Sequence, residues 1–341
     1  MVDLTRTPLH NAALAGQAQL VGQLLEAAPQ AALAVDVRGD TALHLAAYGG
    51  HAAVVQQLLA VAPEAAIAED FWRATPLHLA AHWGHDKAVQ LLLAAAPQAA
   101  MMADTCESTP LHLAAQDGHA AVVQQLLAAA LQAALTADGK GQTPLHLAAR
   151  AGHSAVVQLL LEAAPEAAMV ADTNDFTPLH LAAQEGHAAV VQLLLAAAGP
   201  IHIQDETTPL HWAAAAGHTA VVQLLLEAAP GAATLTDSQG RLPLHWAALE
   251  GHEAVVWQLL MAAPATATAC DDDDASPMSL AIHSGHWEIA RHFIGLFEQP
   301  PATPLLEELA TIHGLTLWVN EPQKSYFCWG RCLLRSPLAC R

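Results

Sequence analysis

Along most of this 341-residue chain two hydrophobic patterns alternate. A short apolar segment, Leu-x-Leu-Ala-Ala, follows a Thr-Pro pair. After a glycine comes a longer run such as Val54-Val55 with Leu58-Leu59, whose apolar residues recur at helical spacing while Gln and Ala fill the other face. The first segment opens with a helix start: Thr offers a side-chain cap, Pro suits the first helical position, and the glycine nine residues after Thr suits a left-handed stop. Each pair of patterns therefore predicts a helix, a turn and a second helix.

The pair repeats. The motif begins at Thr7, Thr41, Thr75, Thr109, Thr143, Thr177, Thr208, Leu242 and Ser276, at intervals of 34 residues except for one of 31. Nine units at a fixed period predict a solenoid built from stacked neighbours. Pro63, Pro97 and Pro165 end second helices, and an Asp stands five residues before the next motif at seven of eight junctions (Asp36, Asp70, Asp104, Asp138, Asp172, Asp237, Asp271), followed by residues suited to a hairpin turn.

The order "TPLHLAA", "GH", "AVVQLLL" and an Asp-led hairpin resembles the ankyrin repeat, over about residues 2–299. The resemblance implies an all-α, ankyrin-like solenoid of helix-turn-helix units joined by short β-hairpin loops; the repeat is lost after "EQPPATP", and residues 300–341 read as a C-terminal tail, partly helical ("LLEELATIH") or disordered. Most units here are one residue longer than the family's usual 33 and carry Ala-Pro-(Glu/Gln/Gly)-Ala-Ala, which predicts an extra helical turn starting at the proline. The short junction "GPIHIQDETTPLH" clips one hairpin and predicts a step between units one to six and seven to nine. Unit nine, with Ser279 and Ile282 at motif positions and Trp287, Glu288, Arg291 and His292 in its second helix, reads as a capping unit.

Composition narrows function. Apolar residues make up 54% of the chain, charged ones 13% and aromatics 4%, so the core is mostly Ala, Leu and Val. A formal charge of −20 with no basic cluster in the repeats excludes nucleic acid as the expected partner. The greasiest stretch, residues 120–137, is broken by Gln124, Gln125, Gln132 and Thr136, which argues against a membrane span. Five cysteines without a recurring spacing, and no leader at "MVDLTRTPLH", fit a reducing compartment, cytoplasmic or nuclear.

Histidine is abundant, with 21 residues, and "TPLHLAAHWGH" (75–85) invites a metal reading. Sixteen of the 21 occupy two fixed repeat positions, the fourth residue of the motif and the residue after glycine, so helix-end and inter-unit hydrogen bonds account for them; His82 lies outside that code. Asp271–Asp274 lacks the spaced ligands of a calcium loop. "DGKGQT" (138–143) lacks the first glycine of a phosphate loop, and Cys328, Cys332 and Cys340 match no strong metal or redox spacing. No catalytic, cofactor or metal site is assigned.

Function is then sought where repeats differ: the hairpins and the ends of first helices. These strips contain Arg38, Asp40, Tyr48, Phe71, Trp72, Arg73, His82, Trp83, Cys106, Gln116, Asp117, Lys140, Arg150 and Phe176. Four of the few aromatics, Tyr48, Phe71, Trp72 and Trp83, fall on adjacent units, as in a protein-binding hot spot. Trp212 and Trp246 replace a motif Leu and read as core. The expectation is a non-catalytic, monomeric scaffold or adaptor for a protein partner. Its rivals are a recruiting module of a regulatory system such as a ubiquitin ligase, and a metal-binding or enzymatic protein using the extra His and Cys residues.

Overall fold

The computed structural model of the chain describes residues 6–198 and 207–298. The clipped junction at 199–206, with the step expected there, and the tail at 299–341 lie outside the described residues. So do residues 1–5.

The described residues contain eighteen α-helices in nine pairs. The first helices of the pairs are α1 (Pro8–Leu14), α3 (Ala42–Tyr48), α5 (Pro76–His82), α7 (Pro110–Asp117), α9 (Pro144–Ala151), α11 (Pro178–Glu185), α13 (Pro209–Ala216), α15 (Pro243–Glu250) and α17 (Pro277–His283). The second helices are α2 (Ala18–Ala27), α4 (Ala52–Val61), α6 (Asp86–Ala95), α8 (Ala120–Ala129), α10 (Ser154–Ala163), α12 (Ala188–Ala198), α14 (Thr219–Ala228), α16 (Glu253–Ala262) and α18 (Trp287–Glu298). They fall into two compact units, one running to residue 182 with 196–198, the other comprising 183–195 and the chain from 207 on. Each unit is a stack of helix pairs, the helical solenoid that the period predicts.

Within the first unit, α1, α3, α5, α7 and α9 pack in one row and α2, α4, α6, α8 and α10 in a second. Within the second unit α13, α15 and α17 form one row, and α14, α16 and α18 the other. The core between the rows is the sequence pattern made solid: Val54, Val55 and Leu58 from α4 meet Leu43, Ala46 and Ala47 from α3, all essentially inaccessible to water. Alanine at two positions of every first helix but α17, where Ile282 follows Ala281, lets the backbones approach closely.

The first helices other than α11 start at a residue in extended conformation, such as Thr75 (φ −95°, ψ 166°), with Pro at the first helical position in all of these but α3. Among the described residues seven second helices, all but α12 and α18, are followed by an alanine near φ −149°, ψ 81° (Ala164) and then by a 3₁₀ turn of five residues, at 29–33, 63–67, 97–101, 131–135, 165–169, 230–234 and 264–268. This is the extra turn expected from the longer period. Proline opens all of them except the one beginning at Leu131.

The hairpins are tighter than strands. Asp104 illustrates them: its N–H donates to the Ser108 carbonyl at 3.0 Å, Glu107 N–H returns to the Asp104 carbonyl at 3.0 Å, and Asp104 Oδ1 accepts the N–H groups of Cys106 (2.8 Å) and Ser108 (2.9 Å). Three residues after the Asp, the backbone is left-handed: Gly39, Arg73, Glu107, Gly141, Asp175, Gly240 and Asp274 all have φ between 60° and 83°. That is a type I turn closed by a bulge. Among the described residues only Val35 and Thr41 pair as a β-bridge, because each loop closes within five residues. Neighbouring tips are joined instead by single backbone bonds, Phe71 N–H to Arg38 O (3.0 Å), Thr105 to Trp72 (2.9 Å), Gly139 to Cys106 (2.9 Å) and Thr173 to Lys140 (3.0 Å).

Candidate protein-interaction surface

Two sets of histidines fix the frame on which the variable residues stand. In α3 the N–H of Thr41 donates to His44 Nδ1 at 3.1 Å, which makes Nδ1 the acceptor, and Nε2–H therefore donates to the Ala74 carbonyl of the next hairpin at 3.1 Å. The same arrangement recurs at His78 with Ser108, His112 with Gln142, His146 with Phe176 and His211 with Arg241. Histidine here does the work of Glu or Gln in a capping box and adds a bond to the next repeat. At Leu242 no hydroxyl is present, and only the backbone half of the box survives, Leu242 N–H to His245 Nδ1 at 3.0 Å. Burial pushes these rings toward the neutral form, His44 down to about 4 and His78, His112, His146, His211 and His245 in the same direction.

The second set reaches backward. Nε2–H of His51, His85, His119 and His153 donates to the carbonyls of Leu14, Tyr48, His82 and Gln116 at 2.9–3.0 Å. Each ring lies over the turn glycine of the preceding repeat, so a Cβ on Gly84, itself at φ 72°, would stand 2.5 Å from His119 Nδ1. These clamps hold the ends of the first helices, where the candidate residues sit.

Those ends carry the first part of the surface. Tyr48 and Trp83, on consecutive repeats, meet edge to face with ring centroids 5.1 Å apart, and Trp83 keeps 48% of its surface exposed. His82 packs against Trp83 at 5.1 Å and places Nδ1 2.7 Å from Asp117 Oδ2 on the next repeat. Gln116 is exposed and Arg150 half-buried further along the same row. The hairpin tips carry the second part: Arg38, Phe71, Trp72, Arg73, Cys106 and Lys140 are all exposed, Phe71 to 70%. Arg73 lies 3.9 Å from Glu69. The tip backbone is pinned, Trp72 N–H to Asp70 Oδ1 at 2.8 Å, so these rings are presented by a fixed loop.

Three expectations need correction. Asp40 is only 7% exposed, turned toward the next hairpin, and burial together with Asp36 and Asp70 raises its carboxyl to about 6; it does not stand on the accessible surface. Phe176 is half-buried, with one ring face stacked on His180 at 5.8 Å and 18°, so it offers less of its ring than Phe71 does. Trp212 and Trp246 are half-buried rather than core; Trp246 donates its indole N–H to Asp237 Oδ2 at 2.9 Å and lies under the Arg241 guanidinium. The motif position they occupy borders the hairpin, where a larger ring extends past the core.

Sequence reasoning also missed a set of bonds made from the residue just before three of the motifs. Arg6 reaches Asp36 Oδ2 at 2.9 Å, Gln142 reaches Asp172 Oδ2 at 2.9 Å and Arg241 reaches Asp271 Oδ2 at 3.1 Å, each tying one hairpin to the next. The signal was present as Arg6, Gln142 and Arg241 at the same repeat position, where Asp40 places a carboxyl instead.

Among the described residues no three His, Cys, Asp or Glu side chains converge as a metal site, and no helix is long and apolar enough to cross a membrane. A family model described as ankyrin repeats (3 copies) matches residues 2–68, 54–136, 77–168, 111–205 and 197–269. No curated protein matches the chain.

Proposed function

The chain belongs to the ankyrin repeat family, and from that premise we propose that it is a non-catalytic scaffold or adaptor that binds a partner protein along the hairpin tips and first-helix ends of its first unit. Ankyrin repeats are generally protein–protein interaction modules. The observation that carries the reading is the aromatic cluster. Tyr48 and Trp83 touch across two repeats, and Phe71 and Trp72 stand at the hairpin between them in sequence; among the described residues few other rings are exposed. Large rigid rings held by a pinned backbone lose little entropy on binding and dominate interface energetics. Arg38, Arg73, Cys106, Gln116, Asp117, Lys140 and Arg150 extend the surface, and the His82–Asp117 contact fixes the rim on one side.

The test is capture of partners from cell extract by the full chain, followed by titration of whichever protein is recovered. Trp83→Ala and Trp72→Ala each lower affinity by about 2 kcal/mol, roughly thirty-fold, with unchanged circular dichroism. A recovered partner whose affinity ignores both substitutions removes this surface from the proposal.

A further inference from the structure

The 3₁₀ turns carry a pattern that the interaction surface does not use. In the first unit they read Pro-Gln-Ala-Ala-Leu (29–33), Pro-Glu-Ala-Ala-Ile (63–67), Pro-Gln-Ala-Ala-Met (97–101), Leu-Gln-Ala-Ala-Leu (131–135) and Pro-Glu-Ala-Ala-Met (165–169). The fourth residue is buried in all five. The second and fifth share a face, because side chains three apart eclipse in a 3₁₀ helix. The second is an exposed Gln or Glu, and the fifth is Leu33, Ile67, Met101, Leu135 or Met169. Four of these five large apolar side chains are 39–46% exposed, and Met101 is half-buried. They recur every 34 residues on stacked repeats and so stand in a row, with Leu131 exposed beside it. In the second unit the same position is Thr234 and Thr268. The scaffold therefore accepts a hydroxyl there, and packing does not demand the apolar row.

We propose that this row is a self-association surface on which a second copy of the chain seats antiparallel, about a two-fold axis at Met101. A closed pairing of identical surfaces must be self-complementary, and the row is. With Met101 opposite Met101, Ile67 faces Leu135 and Leu33 faces Met169. The polar residues obey the same symmetry: Glu64 faces Gln132, Glu166 faces Gln30, and Gln98 faces Gln98, so no two carboxylates meet although the chain carries a formal charge of −20. Sliding the copies by one repeat in one direction sets Glu64 against Glu166, and sliding in the other leaves one turn of each copy uncovered. A partner built on a different period does not match the spacing over five repeats.

The area sets the strength. Helices stack about 8–10 Å apart, so five turns one helix wide, about 10–12 Å, cover roughly 450 Å² per copy. The total, about 900 Å², falls below the roughly 1,200 Å² at which stable specific interfaces begin and within the range of weak, transient ones. Association is accordingly weak and concentration-dependent, in place of the monomer expected from the sequence.

Sedimentation equilibrium of the full chain over the micromolar range tests this. The expected result is a reversible monomer–dimer equilibrium that the combined variant Ile67→Thr, Met101→Thr, Leu135→Thr weakens by about ten-fold or more; helical signal and thermal midpoint, read alongside, stay near the parent's because the second unit already carries Thr there. A register arm uses a chain whose five cysteines are Ser. Met101→Cys alone cross-links to itself on mild oxidation; Leu33→Cys does so only when mixed with Met169→Cys. A chain that stays monomeric throughout, a dimer indifferent to the three threonines, or self-cross-linking of Leu33→Cys overturns the proposal. So does a monomer that co-floats with phosphatidylcholine vesicles, which assigns the row to a lipid surface.

Discussion

At the residue scale, titratable groups are held in states that water does not favour. The capping histidines are neutral in the fold and protonate freely once the chain unfolds. Their contribution is complete above about pH 6.5 and is lost as pH falls toward 4, the value to which His44 is pushed. For His44 alone that loss is on the order of 3 kcal/mol. Thermal midpoints measured between pH 7.5 and 4.5 should therefore drop steeply below about 6.5, and less steeply in His44→Gln, which keeps an acceptor for the Thr41 N–H without a proton to gain. Asp40 runs the other way. Its carboxyl is raised to about 6, so ionisation destabilises the fold as pH rises from about 4 through 6. Asp40→Gln, which installs the donor found at Gln142, should raise stability by about 1 kcal/mol at pH 7.5 and by clearly less at pH 5; equal gains at both values would contradict the assignment.

At the element scale, the 3₁₀ turns and hairpins are where composition and geometry disagree in places, and each disagreement is a lever. Leu131 occupies the one turn start without proline among the seven, and is exposed. Leu131→Pro should stabilise the chain by about 0.5–1 kcal/mol, chiefly by restricting the unfolded state, seen as a higher denaturant midpoint. Glu107 sits at φ 62° where Gly39, Gly141 and Gly240 serve other hairpins. Glu107→Gly should likewise raise stability by about 1 kcal/mol, provided the tip bond from Gly139 to Cys106 persists. The converse change, Gly39→Ala, puts a Cβ 2.8 Å from the Phe71 ring and should disturb the aromatic tip as well as the loop.

At the scale of the molecule, each unit is held by contacts between neighbours in sequence order. The side-chain bonds that join repeats span about one period: 30 residues for the capping histidines and Arg6, 37 for most of the backward clamps. Such a stack has nearest-neighbour energetics. Removal of residues 1–40, which takes away one helix pair and its 3₁₀ turn, should leave a folded helical protein with a lowered thermal midpoint. Wholesale loss of the helical signal in that truncation would mean the stability is not divided this way.

The sequence by itself determined the helix pairs, their caps, the extra turn starting at Pro63, Pro97 and Pro165, and the structural duty of the histidines, because each of these signals is local and recurs from repeat to repeat. It also placed Phe71, Trp72 and Trp83 at variable positions, and their exposure follows from the repeat frame. Only the tertiary structure decided what each variable residue meets. Asp40 disappears toward Asp70 on the next repeat, while Phe176 lies down on His180 and Trp246 turns to Asp237 within their own repeats, where the fold of the hairpin against the first helix sets the contact. The row from Leu33 to Met169 was spelled in the chain with the same period as everything else. Its exposure needed coordinates, because an apolar residue after two alanines reads as core until the turn is seen to point it at water.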